Sequence, residues 1–238
     1  MKIFAGGMHY SALNAAVRAS QENNIEIMNC VGQRYIGAGL SERHIFIHGT
    51  PGNALGAYLN GAEVRIDGNV QEATGDTMNA GVIEVHGSAG DATGYAMRGG
   101  KIFIEGDVGY RCGIHMKAFR IQKPAIVIGG RAGSFLGEYQ AGGTIIVLGD
   151  RLNGKPVVGN FCGTGMHGGE IWLRTDELTA ALPEQVKSER VTLSDEAASL
   201  IREWCARFGR EEKSYLSAVY YRLTPNADNP YRQMYTPN

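Results

Sequence analysis

The 238-residue sequence has little of several features that mark particular protein classes. Its four cysteines stand far apart with no Cys-x-x-Cys pair, so neither a zinc knuckle nor an iron–sulfur ligand set is expected. Seven prolines are too few for a collagen-like or Pro-rich disordered chain. No apolar run approaches the ~18 residues of a membrane helix, and the first residues lack the apolar core of a signal peptide. These absences favour a thiol-reduced, cytoplasmic protein.

An excess of charge of one sign is also absent. The chain has 23 Lys and Arg residues against 24 Asp and Glu residues, which gives a formal net charge of -1. Bulk electrostatic attraction to nucleic acid or to an anionic membrane is therefore not expected.

Glycine, in contrast, is abundant. There are 34 glycines, about twice the average share of ~7%, and all but three lie between Gly32 and Gly169. A glycine excess confined to one stretch indicates an architecture with many tight corners.

The glycine-rich stretch is an internal repeat with a period of 19 residues. In each unit the second and fourth positions are apolar, which is typical of a short β-strand with one buried face. Insertions lengthen two units, one around residues 119–123 and one around residues 150–156. The units start at Ile25, His44, Glu63, Val82, Lys101, Ala125, Thr144 and Glu170.

Glycines recur at fixed offsets within the unit, in the spacing Gly-x-x-Gly-x-x-x-Gly. Glycine tolerates positive φ and the close approach of neighbouring backbone, and a repeated corner requires both. One unit departs from the spacing, with Gln71 between Gly68 and Gly75. The repeat glycines assigned to the corners are Gly49, Gly52, Gly56, Gly87, Gly90, Gly94, Gly106, Gly109, Gly113, Gly130, Gly133 and Gly137.

A 19-residue unit cannot bury its own apolar face, but it can do so when stacked on copies of itself. The sequence therefore predicts an all-β solenoid, a parallel β-helix of about seven coils with short flanking α-helices. The unequal glycine spacing favours a right-handed coil over a left-handed hexapeptide helix, although sequence alone leaves the handedness open. The predicted regions are a helical lead-in at 1–24, the β-helix at 25–175, and a helical extension with a terminal arm at 176–238.

One column of the repeat predicts an internal ladder of Leu and Met side chains, and another predicts an outward apolar stripe. Such a stripe needs a cover. A helix that starts after Ser194 and ends at Gly209 is the first candidate, and a partner protein is the second. At the other end, residues 11–22 predict a short helix with Ser11 as its N-cap. The ladder column holds Leu40, Leu59, Met78, Met97, Met116, Gln140 and Met166, and the stripe holds Phe103, Val127, Ile146 and Trp172.

Few residues are arranged as a catalytic or metal site. His48, Asp67, His86 and Glu105 share one column, which predicts a ladder of imidazoles and carboxylates ~4.8 Å apart, with a metal site as the less favoured alternative. Cys112 and Cys162 share another column with aliphatic residues, which predicts packing roles ~9–10 Å apart, too far for a disulfide. No catalytic, cofactor-binding or metal-binding residue is assigned.

One coil differs from the others by its cationic and aromatic residues, and a five-residue insertion follows it. Such a combination suits a docking surface, although a solvated face with a loop explains it equally well. The candidate interface residues are Tyr110, Arg111, His115, Lys117, Phe119 and Arg120.

The repeat resembles the carboxy-terminal β-helix domain of the glutamate synthase large subunit over about residues 25 to 175. More distantly, it is similar to the β-helix subunit of formylmethanofuran dehydrogenase. Besides the Gly-x-x-Gly-x-x-x-Gly spacing, whole segments are close to those of the family. These segments are 32–37 (GQRYIG), 94–100 (GYAMRGG), 109–117 (GYRCGIHMK), 137–143 (GEYQAGG) and 165–169 (GMHGG).

The resemblance implies a scaffold without catalytic residues. In that family the whole enzyme converts glutamine and 2-oxoglutarate into two glutamates with electrons from NADPH or ferredoxin. An amidotransferase part releases ammonia and a flavin and iron–sulfur barrel uses it, while the β-helix lies between them. The implied partners are a glutamine amidotransferase subunit and an FMN/iron–sulfur synthase subunit, with FMN and the iron–sulfur cluster held by partners and no cofactor on this chain.

The chain departs from the full enzyme because it begins at Met1-Lys2 and contains neither an amidotransferase nor a barrel. The expectation is thus a non-catalytic subunit of a split glutamate-synthase-type oxidoreductase. One alternative is a scaffold in an N-methylglutamate synthase or a formylmethanofuran-dehydrogenase-like complex. An alternative of another class is an independent β-helix transferase, and a homo-oligomer also stays open.

Overall fold

The computed structural model describes residues 1–226, so most of the predicted terminal arm lies outside the described residues. The described chain forms three helices, α1 (Tyr10–Ala19), α2 (Asp195–Phe208) and α3 (Lys213–Leu216). The strands are β1 (Lys2–Phe4), β2 (Asn24–Val31), β3 (His44–Thr50), β4 (Asn60–Ile66), β5 (Ala80–Val85), β6 (Lys101–Ile104), β7 (Ala125–Ile128), β8 (Ala141–Val147), β9 (Gly168–Arg174), β10 (Val186–Val191) and β11 (Tyr220–Pro225).

All eleven strands belong to one sheet, in the order β1-β2-β3-β4-β5-β6-β7-β8-β9-β11-β10. From β1 to β9 each strand pairs in parallel with the next one along the chain. A parallel sheet built from consecutive strands, one per repeat, is solenoid-like, which confirms a mainly parallel repeat architecture. The coil number and the handedness stay predictions.

The pairing register confirms the unit boundaries from His44 onward. His44 pairs with Glu63, and the first residue of each later unit pairs with the first residue of the next. The predicted start of the first unit at Ile25 is wrong by one residue, because Asn24 pairs with His44. The first unit is therefore one residue longer than a 19-residue unit. Its additional residue is accommodated where the β2–β3 register shifts between Ile27 and Cys30.

The interior of the coil stack is apolar. The two inward columns of each strand, exemplified by Ile45 and Ile47, are buried along the whole stack. The predicted ladder is also internal, because Leu59, Met78, Met97 and Met116 are fully buried.

Short polar side chains at one corner hold neighbouring coils together. Asn69 Oδ1 accepts a hydrogen bond from the Ser88 N–H at 2.8 Å, and Ser88 Oγ accepts one from the Asp107 N–H at 3.1 Å. Asp107 Oδ1 then accepts one from the Arg131 N–H at 2.8 Å. Each side chain satisfies a backbone donor of the following coil where the strand ladder has ended.

The amino-terminal end is closed by β1 and α1. The strand β1, which the predicted helical lead-in did not include, pairs in parallel with β2. The helix α1 buries Leu13 and Val17 in the same core. Its N-cap is His9 rather than the predicted Ser11, because the His9 backbone is extended and its imidazole accepts from the Ser11 N–H.

The carboxy-terminal end is closed by an antiparallel pair. The strand β11 pairs antiparallel with both β9 and β10, so the sheet continues past the predicted boundary at residue 175. The helix α2 begins after Ser194, whose Oγ accepts from the Ala197 N–H at 3.2 Å, and ends at Gly209 with φ +63°, as predicted.

The helix α2 covers the outward apolar stripe. Phe103, Val127, Ile146 and Trp172 form a second buried cluster with the helix residues Leu200, Ile201 and Trp204. The Trp204 indole also donates a hydrogen bond to the Ile104 carbonyl at 2.9 Å. The helix is therefore the cover, rather than a partner.

A search of the helices in residues 1–226 finds none with the length and apolar character of a membrane span.

Candidate docking surface

In each coil, the corner opposite the strands contains three residues with a left-handed backbone (positive φ) within five positions. The middle one is always glycine, with φ between +64° and +72° at Gly56, Gly75, Gly94, Gly113 and Gly137. A Cβ at Gly113 would lie 2.5 Å from Ile145 Cδ1. Glycine is required here both by φ and by the isoleucine packed against it.

Other repeat glycines are required by backbone proximity rather than by positive φ. At Gly133 a Cβ would lie 2.6 Å from the Gly109 carbonyl oxygen, and at Gly106 it would lie 2.8 Å from the Gly87 carbonyl oxygen. The glycine pattern thus reports two different requirements of the corner.

Larger residues occupy the two outer left-handed positions of the corner. Their φ values lie between +50° and +61°, which is uncommon for residues with a side chain. After Tyr35 in the first coil, the first position holds alanine in three coils, and in later coils cationic or aromatic residues replace it. The first position holds Tyr35, Ala54, Ala73, Ala92, Arg111, Phe135 and Phe161, and the third holds Tyr58, Thr77, Ala96, His115 and Tyr139.

The residues of the later coils form an aromatic ridge, which we define as Tyr95, Arg111, His115, Phe135, Tyr139 and Phe161. The His115 ring stacks on Tyr139 at 5.2 Å with an interplanar angle of 10° and meets the edge of Tyr95 at 5.9 Å. Phe135 stacks on Phe161 at 4.9 Å.

Arg111 connects Phe135 of the aromatic ridge to the buried carboxylate of Glu138. Its Nε donates to Glu138 Oε2 at 2.9 Å, and its guanidinium lies 5.1 Å from the centre of the Phe135 ring. Only 8% of Glu138 is exposed, so the ion pair is partly withdrawn from water. Arg111 therefore has a structural role as well as a place on the surface.

The structure separates the predicted interface residues into two groups. Arg111 and His115 lie in the aromatic ridge, and Tyr110 is exposed beside them. Phe119 and Arg120 lie on a different protrusion, and Lys117 leads into it.

The protrusion is a two-residue β-hairpin, the inserted hairpin, formed by residues 119–122. The Phe119 and Gln122 backbones exchange hydrogen bonds, both of 3.0 Å. Arg120 is left-handed with φ +57°, and its guanidinium lies 5.2 Å from the Phe119 ring. Ile121 at the tip is 97% exposed.

Sequence reasoning missed Tyr95, Phe135, Tyr139, Phe161 and Ile121. Phe135, Phe161 and Tyr139 share columns with Arg111 and His115, so reading every column of the repeat for exposed aromatics could have found them. Ile121 lies within the predicted insertion, but an isoleucine in a loop gives no signal of its exposure.

The predicted imidazole–carboxylate ladder forms only in part. His48 Nδ1 lies 2.5 Å from Asp67 Oδ2, and His48 Nε2 lies 3.1 Å from Glu26 Oε1. His86 pairs with Glu84 at 2.6 Å, and no hydrogen bond joins it to Asp67 in the described chain. His86 Nδ1 also lies 3.8 Å from Glu105 Oε2 of the next coil, an ion pair that belongs to the predicted ladder. Across residues 1–226 no group of three His, Cys, Asp or Glu residues could hold a metal ion.

The cysteines are packed thiols. All four are free and buried, as the column of Cys112 and Cys162 predicts. Burial raises the pKa of Cys112 and of Cys162 to about 12, so neither is a thiolate at neutral pH.

The most charged region lies at the end of α2 that faces the early coils. Arg207 donates to Glu63 at 2.9 Å and to Glu84 at 3.0 Å, and it also pairs with Glu203 at 3.0 Å. Burial would raise the pKa of Glu203, but hydrogen bonds from Lys101 and Arg207 lower it below its ordinary value. These contacts attach the helix to the strands and bring no reactive group to the surface.

Comparisons with known proteins agree with the repeat architecture. The chain is 39% identical over 251 residues to an uncharacterized protein of Methanocaldococcus jannaschii, an alignment covering 99% of this chain and 96% of that one. Its fold is similar to that of a chain in the formyltransferase/hydrolase complex of Methylorubrum extorquens, a complex solved with methylofuran. The TM-score is 0.65 at 19% identity, over 92% of this chain and 89% of that chain.

The sequence profile of the GXGXG motif family matches residues 13–225, which includes the coil stack, α2 and β11. The family resemblance predicted from the glycine spacing is thereby confirmed. The chain belongs to the GXGXG motif family.

Proposed function

We propose that this chain is a non-catalytic scaffold subunit of a split, glutamate-synthase-type oxidoreductase. Its partners are a glutamine amidotransferase subunit and an FMN/iron–sulfur synthase subunit, which hold the reactive groups. The complex converts glutamine, 2-oxoglutarate and a reductant into two glutamates.

The observation that carries the proposal is the extent of the family match. The GXGXG profile covers residues 13–225, so nearly all of the described chain falls within the family match. Several candidate reactive side chains are occupied elsewhere, since the thiols are buried and the imidazoles of His48 and His86 pair with carboxylates.

The aromatic ridge supplies a surface on which such partners could assemble. Exposed tyrosine, phenylalanine and arginine are the residues enriched in the energetic centres of protein interfaces. All ridge residues except Tyr95 keep a left-handed backbone, which has an energetic cost for residues with a Cβ, and their large exposed side chains call for a reason. Binding of a partner subunit provides that reason.

The test is recovery of the complex from the native host with the tagged full-length chain. We expect the amidotransferase and flavin subunits to co-purify, and the eluate to form glutamate from glutamine and 2-oxoglutarate with a reduced donor. An inactive homo-oligomer without other subunits would contradict the proposal and direct attention to transferase activity.

A matched pair of variants tests the aromatic ridge separately. Tyr139→Ser removes a ridge ring that is 46% exposed, and Tyr58→Ser removes a 58% exposed ring from the same column outside the ridge. We expect only Tyr139→Ser to lose the partner subunits. Charge reversal at Arg111 is a poorer test, because it would place a second negative charge against buried Glu138.

A second candidate is a scaffold in a formylmethanofuran-type complex. It is favoured by the structural similarity to a chain of the Methylorubrum extorquens formyltransferase/hydrolase complex. Under this proposal the co-purified subunits would be formyltransferase- or hydrolase-like and the eluate would form no glutamate. An N-methylglutamate synthase would instead form N-methylglutamate when methylamine is supplied.

A further inference from the structure

The inserted hairpin is not needed to close its coil. The strands on either side of it, β6 and β7, pair in the same register as strands joined by a 19-residue unit, with Lys101 opposite Ala125. The additional residues therefore project from a stack that is complete without them. An insertion retained at a cost in chain entropy suggests a use outside the coil.

The tip of the inserted hairpin presents an isoleucine to solvent at an energetic cost. Ile121 is 97% exposed, whereas every other large apolar residue of the described chain is 75% exposed or less. Arg120 adopts φ +57°, a conformation that a glycine would take more easily at this position of a two-residue hairpin. Neither the exposed isoleucine nor the left-handed arginine stabilises the isolated chain.

The inserted hairpin is nevertheless held in place. The two backbone hydrogen bonds between Phe119 and Gln122 close it, and Lys123 Nζ pairs with Glu196 Oε2 of α2 at 3.0 Å. A preorganised apolar tip loses little conformational entropy on binding.

The charge next to the tip indicates the chemistry of the binding partner. Arg120 packs against Phe119 and forms no ion pair with any residue in the described part of the chain. Its positive charge is left for a partner, and it lies one residue from Ile121. A complementary surface would have an apolar pocket for the isoleucine and a carboxylate at its rim for the guanidinium.

We propose that the inserted hairpin is a docking knob that inserts Ile121 into an apolar pocket of another protein subunit, with Arg120 paired to a carboxylate at the rim of that pocket. The proposal rests on the proposed function insofar as it requires a partner subunit. It names a contact outside the aromatic ridge and gives the chemistry of the partner.

The experiment compares Ile121→Ser with Val31→Ser in the tagged full-length chain. Val31 is the next most exposed large apolar residue, at 75%, and it lies near the amino-terminal end of the stack. Both variants should keep the wild-type melting temperature, because neither side chain is packed. We expect Ile121→Ser to weaken partner binding at least tenfold, as loss of an interface anchor does, and Val31→Ser to leave it unchanged.

A photo-crosslinking amino acid at position 121 identifies what the tip touches. We expect a cross-link to another polypeptide, at a peptide containing apolar residues and an Asp or Glu. Replacing that acid with Arg should restore binding to Arg120→Glu. A cross-link to a second copy of this chain or to lipid would overturn the proposal.

The outcomes separate this proposal from the proposed function. If Ile121→Ser binds the amidotransferase and flavin subunits as wild type does, the docking knob is wrong and the scaffold function stands. If the cross-linked partner is neither of those subunits and the eluate forms no glutamate, the docking knob stands and the glutamate-synthase function is wrong. If the wild-type chain binds no other polypeptide, both are overturned.

Discussion

At the residue scale, the coil corner makes different demands on residues only two positions apart. Gly113 and Arg111 are both left-handed, at φ +70° and φ +57°. Only the glycine faces the interior, where a Cβ would meet Ile145. The outer residues meet solvent, so their side chains fit even though their backbone is strained. The left-handed backbone therefore accommodates a large side chain at position 111, whereas the packing of Ile145 restricts position 113 to glycine.

Gly113→Ala should cost more than the conformational penalty alone. Left-handed φ costs a residue with a Cβ about 1–2 kcal/mol. The contact with Ile145 should add about 1–3 kcal/mol of overpacking. The measurement is chemical denaturation of both Gly113→Ala and Gly154→Ala. Gly154 has φ +76° with nothing within 4 Å of its Cβ position, so it should show only the first cost. Equal losses for the two variants would contradict the packing argument.

Gln140 is a polar residue in the internal Leu and Met ladder. Its Nε2 donates to the Gly143 carbonyl at 3.0 Å, but its buried Oε1 has no hydrogen-bond partner in the described chain. An unsatisfied buried acceptor costs about 1–3 kcal/mol.

Gln140→Met should therefore raise the free energy of unfolding by about 1 kcal/mol, because it removes this acceptor and completes the ladder. The reverse change in the preceding unit, Met116→Gln, should lower it by about 2 kcal/mol. Denaturant titration of both variants is the measurement. A marked loss of stability in Gln140→Met would mean that the hydrogen bonds donated by Nε2 outweigh the cost of the unsatisfied Oε1.

At the element scale, α2 is attached to the stack in two ways. Its apolar face buries Trp204 and Ile201 on the outward stripe, and its charged end reaches the early coils through Arg207 and Glu203. The apolar contacts are insensitive to pH, whereas the charged ones depend on ionised carboxylates. Acid should therefore loosen the end of the helix before its middle.

The lowered pKa of Glu203 predicts a pH-dependent contribution to stability. A carboxyl whose pKa is lower in the folded state stabilises the fold above its unfolded pKa, near 4.5, and this contribution is lost as the pH falls through the folded value. Glu203→Gln should therefore be less stable than wild type by about 1 kcal/mol at pH 7, and the difference should shrink as the pH falls below 4.5. Unfolding curves across this range provide the measurement. Glu177→Gln, at an exposed position without an ion pair in the described chain, should show no such trend.

Elements with strong local signals were predictable from the sequence. The helix α2 has an amphipathic pattern, a capping Ser194 and a terminating Gly209, and all three lie within the helix or next to it. The strands β1, β10 and β11 have no such signals, because they are short and their places are decided by pairing with distant strands. The first unit was misplaced because a bulge hides its additional residue from a search with a fixed period.

The candidate surface was predictable only where a residue differed in charge from its column. Arg111 and His115 replace neutral residues of earlier units and were noticed. Tyr139 and Phe161 lie in the same two columns but carry no charge, so only a search of those columns for aromatic residues would have found them. The glycine column was predictable from the sequence, because only glycine tolerates both the positive φ and the close packing at this position.

At the scale of the whole molecule, the core is continuous from one closed end to the other. One apolar cluster extends from Leu13 of α1 to Leu223 of β11 and includes the inward strand columns, most of the ladder and three of the four buried thiols. The fourth, Cys205, belongs to the second cluster beneath α2. Burial raises the pKa of Cys30 to about 11, as it also does for Cys205. Thiols at different heights of the stack therefore report on the opening of different coils.

A thiol-specific reagent at pH 8 should modify none of the cysteines of the native protein and all four of the denatured protein. If unfolding is cooperative, Cys112 and Cys162 should react at the same slow rate. Mass spectrometry of partially modified protein is the measurement. Singly modified molecules accumulating at Cys162 alone would show that the carboxy-terminal coils open independently, as neighbour-only contacts permit.

The reversal of strand direction at β11 sets how long the molecule is. A parallel strand at the end of the stack would leave an edge that another coil could extend. Instead, β11 pairs antiparallel with β9 on one side and with β10 on the other. The strand β10 is then the edge of the sheet, and its charged residues Lys187 and Arg190 discourage further strand pairing. Because the parallel register repeats from coil to coil, one 19-residue unit could be added or deleted without altering either terminus, provided that α2 still covers the outward stripe. Each such step would change the molecule's span by ~4.8 Å. The number of repeats thus determines the length of the molecule, and the antiparallel strand β11 determines where the stack ends.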